Sequence, residues 1–126
     1  MKTVSAILDR FDALSELECD GFTRVASYAL REAGIAHQAM YGLVGTPRHE
    51  LSPHFWIEVD GWIVDYRLRM NAGSDMPHGV FKPPPGIVYC GQPCLLQCGR
   101  ELFLLLTMEW PSEWAEQMKK RKRATR

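Results

Sequence analysis

The chain has 126 residues and a mass of 14.4 kDa, the size of a single domain. Its hydrophobic fraction of 46% suffices for one core without a metal or disulfide staple, and no run approaches the roughly 18 apolar residues of a membrane span. Fifteen basic and fifteen acidic residues cancel formally, but six of the basic ones lie in 119–126, so the first 118 residues carry nine basic against fifteen acidic, a formal −6.

The first residues, Met-Lys-Thr-Val-Ser-Ala-Ile-Leu-Asp-Arg, turn acidic too early for a secretory signal. A cytoplasmic location is therefore expected, with the four cysteines as thiols. Ile7, Leu8, Phe11, Leu14 and Leu17 recur at helical spacing and predict a first amphipathic helix over about 5–17. Phe22, Val25, Ala26, Ala29, Leu30 and Ala33 predict a second, with Gly34 as its C-terminal stop. Residues 35–44 then read as a strand, and 45–53, with Gly45, Pro47 and Pro53, as a loop.

Residues 54–67 read as a β-hairpin, because alternating apolar residues flank the turn pair Asp60-Gly61. That register sets Val59 opposite Trp62, Trp56 opposite Asp65 and His54 opposite Arg67. It also places His54, Trp56, Glu58, Ile63, Asp65 and Arg67 on one face. Residues 71–86, with three glycines and Pro83–Pro85, read as a loop or polyproline segment. Ile87 to Cys90 predicts a short strand, and Glu101 to Met108 suits either a strand or a buried helix. Pro111 fits the first turn of a last helix, capped near Trp110 and running through Trp114 and Met118 into the basic tail. The expected fold class is α+β, N-terminal helices packed on a small antiparallel sheet, with one domain over 1–118 and a basic tail at 119–126.

Three residues in this order carry chemistry. Cys19 stands three residues before Phe22, at the start of the second helix, where unpaired N–H groups and the helix dipole favour a thiolate. Glu18 and Asp20 beside it act the other way. His54 opens a strand next to Pro53. Asp65 is its diagonal neighbour across the hairpin, about 7–8 Å away at the backbone and within reach of an imidazole. An unpaired carboxylate between Val64 and Tyr66 would be expensive, and pairing with a protonated His54 removes that cost. Arg67 offers a competing salt bridge to Asp65 or Glu58.

The ordered set resembles the transglutaminase-like branch of papain-fold cysteine enzymes. It consists of Cys19-Asp-Gly-Phe-Thr-Arg-Val-Ala-Ser-Tyr-Ala-Leu-Arg-Glu-Ala-Gly-Ile-Ala, a strand, then His54-Phe-Trp-Ile-Glu-Val-Asp-Gly-Trp-Ile-Val-Asp65. The short helix-to-hairpin form is similar to bacterial peptidases that trim leader sequences from ribosomal peptides. The resemblance covers about residues 15–70. It implies a papain/transglutaminase-like core with Cys19 as nucleophile, His54 as general base and acid, and Asp65 as the orienting residue. Two departures stand out: Glu18 occupies a position where relatives often have Gly, and residues 1–18 contain neither Gln nor Asn to serve as an oxyanion donor.

The expected activity is cleavage or transfer of an amide through a thioester, with a peptide or protein as substrate and with no cofactor and no metal. Trp56 and His78 are candidate substrate contacts, and the loops at 45–53 and 71–86 are candidate specificity elements. Cys90, Cys94 and Cys98 form C-x₃-C-x₃-C, which differs from the C-x₂-C pairs of zinc modules. His37 is read as structural, and His49, in the Arg-His-Glu loop, as a substrate-loop candidate of the same kind as His78, a type of residue more often incidental. The basic tail is read as a cationic helix end rather than a nucleic-acid site. The alternative from another class is a protein-binding module, such as a phage or host-interaction factor, that keeps the fold without turnover.

Overall fold

A computed structural model of the chain describes residues 1–108 together with 113, 116, 117 and 119–121. The helix expected from Pro111 through Trp114 and Met118 falls largely outside the described residues. The chain is α+β. Helix α1 (Lys2–Leu8) and a 3₁₀ turn (Asp9–Phe11) precede helix α2 (Cys19–Glu32). Strands β1 (Gln38–Gly45), β2 (Glu50–Val59) and β3 (Trp62–Asp65) follow. Then come helix α3 (Leu68–Ala72), strands β4 (Gly79–Phe81) and β5 (Val88–Pro93), and helix α4 (Arg100–Thr107). The five strands pair antiparallel in the order β4-β3-β2-β1-β5.

The first helix is shorter than the spacing of its apolar residues predicts. The carbonyls of Asp12, Leu14 and Leu17 accept from the Arg67 guanidinium, which ties this segment outside the helix. Helix α2 starts at Cys19 itself, as expected. It stops where Gly34 takes φ 72°, and the Ile35 N–H reaches back to the Leu30 carbonyl.

The β2–β3 hairpin has the predicted register, with Val59 opposite Trp62, Glu58 opposite Ile63 and Ile57 opposite Val64. Asp60 and Gly61 form the turn at φ 49° and 80°, the left-handed pair that this connection requires. Strand β3 ends at Asp65, however, so His54 and Arg67 are not paired. Arg67 turns toward the opposite side, with its guanidinium 4.5 Å over the Phe22 ring.

The expected loop at 45–53 is mostly strand. Strand β2 begins at Glu50 and passes through Pro53, after a cis peptide bond, with an irregularity in the ladder to β1 between Gly42 and Val44. A proline contributes no N–H to a ladder, which fits a break at this point. The expected loop at 71–86 holds the end of α3 and the short strand β4.

Two apolar cores lie on the two faces of the sheet. On one, α1, the 3₁₀ turn and α2 bury Leu8, Phe11, Val25 and Leu30 against Ile57, Val59, Val64 and Tyr66. On the other, Leu68, Ala72 and Met76 pack on Met40, Val44, Trp56 and Ile63. The sheet is strongly curled around this second core. Four strand steps separate β4 from β5, about 19 Å in a flat sheet, yet the rings of Phe81 and Tyr89 lie with centroids 6.2 Å apart. Close approach helps the curl: a Cβ on Gly91 would lie 2.5 Å from the Tyr41 carbonyl oxygen and 2.7 Å from the Trp56 ring. Helix α4 packs on α2 through Phe103, which stacks on Tyr28 at 4.4 Å and meets Phe11 edge-on at 5.7 Å. Among the described residues no helix is long and apolar enough to cross a membrane.

Candidate active site

Cys19 occupies the first position of α2, and Glu18 before it is extended and makes no side-chain cap. The first N–H groups of this helix therefore have no capping side chain, and the thiol sits among them, half-buried. Strand β2 supplies His54, which is 1% exposed. Its Nε2 donates to Asp65 Oδ2 at 2.7 Å. The Cys19 side chain lies close enough to act on the imidazole and favours its charged form. Sequence order had set these residues 35 and 11 positions apart, and α2, β2 and β3 bring them into one chain of contacts.

The electrostatics follow from this chain. Burial is the largest influence on His54 and disfavours its charged form. The influence of Asp65, and of Cys19 after it, outweighs burial and holds the imidazolium up to about 9, against an ordinary 6.5. His54 is thus a cation at neutral pH. Asp65 is 3% exposed and has its oxygens filled: Oδ2 accepts from His54 and from the Tyr89 hydroxyl, both at 2.7 Å, and Oδ1 accepts from the Arg67 amide at 3.0 Å. Burial, reinforced by the Asp65 charge, pushes the Tyr89 phenol up, so Tyr89 is a donor throughout the ordinary pH range.

Arg67, a candidate salt-bridge partner of Asp65 in the sequence, gives Asp65 only its backbone amide. Its guanidinium has all five N–H donors placed. Nε donates to Leu17 O at 2.6 Å, one terminal nitrogen to Asp12 Oδ1 and Tyr66 O, and the other to Asp12 O and Leu14 O. One residue thereby holds Asp65 with its main chain and, with its side chain, the segment 12–17 that delivers Cys19.

Trp56 is 1% exposed and lies flat beside His54, with ring centroids 6.3 Å apart and planes within 21°. The Tyr89 ring meets it edge-on at 5.0 Å. Its contacts are with the imidazole and Tyr89, and its burial leaves little surface for a substrate. His78 is not part of this group. Its Nε2 donates to Asp12 Oδ2 at 2.7 Å, on the network that Arg67 organises, and its ring stands edge-on to Tyr66. His37 bonds Ser27 and the Ile35 carbonyl. The two segments expected to choose substrate are tied together, since Arg48 pairs with Asp75 and bonds the Ala72 carbonyl, and His49 bonds the Asn71 carbonyl.

All four cysteines are free thiols. Among the described residues no three His, Cys, Asp or Glu side chains are grouped to hold a metal, so Cys90, Cys94 and Cys98 do not form such a site. A groove of about 490 Å³ lined by Met1, Lys2, Ser5, Asp9, Trp62 and Val80 includes none of Cys19, His54 and Asp65 in its walls. Tyr89 and Arg67 are the contributors that sequence reasoning missed as such. Tyr89 was visible only as an aromatic in a short strand, and Arg67 only as a charge next to the hairpin. Comparison of the chain with protein-family models, with curated proteins and with solved structures finds no match in any of the three.

Proposed function

We propose that this protein is a cysteine-dependent amide hydrolase or acyl-transfer enzyme with a papain/transglutaminase-like core, acting on a peptide or protein. The observation that carries the proposal is the continuous chain from a thiol at a helix start, through a buried imidazole, to a carboxylate with both oxygens occupied. An imidazolium beside such a thiol is the arrangement that generates a nucleophilic thiolate.

The Cys19 sulfur adds to the amide carbon, and the carbonyl oxygen takes the charge. The Cys19 N–H, at the uncapped start of α2, serves as a donor for that oxygen in place of the absent upstream Gln or Asn. As the C–N bond breaks, His54 gives its proton to the departing amine, leaving a thioester on Cys19. His54, now neutral, takes a proton from water or from an acceptor amine as that nucleophile attacks the thioester. The products are an acid or a new amide, and the thiolate–imidazolium pair is restored. Asp65, bonded to Nε2, fixes the ring and leaves Nδ1 for the sulfur.

Alkylation with iodoacetamide, mapped thiol by thiol, tests the reading. Cys19 is expected to react faster than Cys90, Cys94 and Cys98, and His54→Ala is expected to remove that advantage. In a peptide-cleavage screen, Cys19→Ala abolishes turnover, His54→Ala nearly does, and Asp65→Asn leaves measurable activity. The loss for Asp65→Asn should be smaller than the roughly 10⁴ of a serine triad, because a preformed ion pair needs less help from a base. Equal, slow labelling of all four thiols would point instead to a binding module that retains the fold without turnover.

A further inference from the structure

We infer that Tyr89 is a positioning residue of this site, a fourth member that shares Asp65 Oδ2 with His54 and tempers the carboxylate's hold on the imidazolium. The inference rests on the proposed function and deepens it. Its basis is geometric. Both the His54 Nε2–H and the Tyr89 O–H donate to the same carboxylate oxygen at 2.7 Å. Tyr89 comes from β5, at the far edge of the sheet from β3, and reaches Asp65 only because the sheet curls. Its ring is fixed on two sides, edge-on to Trp56 at 5.0 Å and tilted against Phe81 at 6.2 Å. The hydroxyl therefore does not find Asp65 by rotating freely; packing aims it there.

The consequence concerns proton transfer. A buried carboxylate strengthens the imidazolium's hold on its proton and so slows its release to a departing amine. A second donor on the same oxygen takes up part of the negative charge. The groups that meet here are Cys19 from α2, His54 from β2, Asp65 from β3 and Tyr89 from β5. The Arg67 amide lies on Asp65 Oδ1, and Glu58 is reached through the Trp56 indole at 3.4 Å. The Arg67 guanidinium is turned away toward Asp12 and is not among the charges that set this balance.

Tyr89→Phe keeps the ring and deletes the hydroxyl. The readout is the ¹⁵N shift of the His54 ring nitrogens against pH in histidine-labelled protein, which needs no substrate and no reactive thiol. The His54 titration is expected to move upward by about half a pH unit to one unit, the equivalent of one hydrogen bond. In an Asp65→Asn background the same substitution should move it hardly at all, because the shared acceptor has lost its charge. A titration that stays in place or moves downward in Tyr89→Phe overturns the inference, and so does an upward shift that survives Asp65→Asn. Iodoacetamide profiles of Cys19 recorded on the same proteins separate this from the parent reading: a shift of His54 with an inert Cys19 retains the Tyr89–Asp65–His54 linkage and removes the enzyme.

Discussion

A histidine that is 1% exposed and still a cation at neutral pH is unusual, and its charge has a measurable consequence for folding. In the unfolded chain His54 titrates near 6.5, and in the folded protein near 9. Between these values the folded state alone holds the proton. The stability contributed by His54 is therefore complete below about pH 6.5 and is lost as pH rises through about 9. With each pKa unit worth about 1.4 kcal/mol, the full contribution is on the order of a few kcal/mol. Urea unfolding of the wild type and His54→Gln across pH 6 to 9.5, under reducing conditions, should show a gap that is widest at the acid end and closes toward pH 9. A gap independent of pH would mean that folding leaves the His54 titration where it was, and a gap that widens as pH rises from 6 would mean that His54 is held neutral.

Among the elements, some were legible in the sequence and others were not, for identifiable reasons. The β2–β3 hairpin could be read because its information is local. Asp60-Gly61 supplies the left-handed turn, and alternation then fixes the face of His54 and Asp65. The start of α2 could be read from where helical periodicity begins. The end of α1 could not, because the segment after it is held by Arg67, fifty residues beyond Leu17, whose guanidinium donates to the Asp12, Leu14 and Leu17 carbonyls. Helix α4 stayed ambiguous because its apolar residues are not confined to one face: Phe103 packs inward while Leu104 and Leu105 are 53% and 60% exposed. The role of Arg67 is itself testable. Lysine offers three donors where arginine places five, so Arg67→Lys leaves at least two of the acceptors around 12–17 and Tyr66 without that partner. At about 1–3 kcal/mol for each orphaned group, a loss of roughly 3 kcal/mol or more is expected in urea unfolding, with hydrogen exchange at 12–18 accelerated before that of β2. An unchanged unfolding midpoint would show that the segment is held by packing alone.

At the scale of the whole molecule, the two cores and the tail divide the chain unevenly. Among the described residues, the cores and the side chains packed on them lie between Val4 and Leu106, while Lys119, Lys120 and Arg121 are exposed. The curl of the sheet, which lets residues of β2, β3 and β5 share one hydrogen-bonded group, comes from contacts within those limits: Phe81 on Tyr89, Trp56 over Gly91, and Tyr89 on Asp65. Curvature of this kind is invisible to a reading of strands one at a time, which is why the sequence disclosed the hairpin pair and left Tyr89 among the ordinary aromatics. It also predicts what the tail contributes. A chain ending at residue 118 loses six basic residues and no described core side chain, and its formal charge falls from zero to −6. Long-range attraction between tail and body is screened beyond about 10 Å at 0.1 M salt. The truncated protein should unfold cooperatively, within about 1 kcal/mol of the full chain at that ionic strength, with the Cys19 alkylation rate preserved. Truncation that abolishes cooperative unfolding, or a deficit that grows as salt is lowered, would show that the tail docks on the acidic body and belongs to the fold.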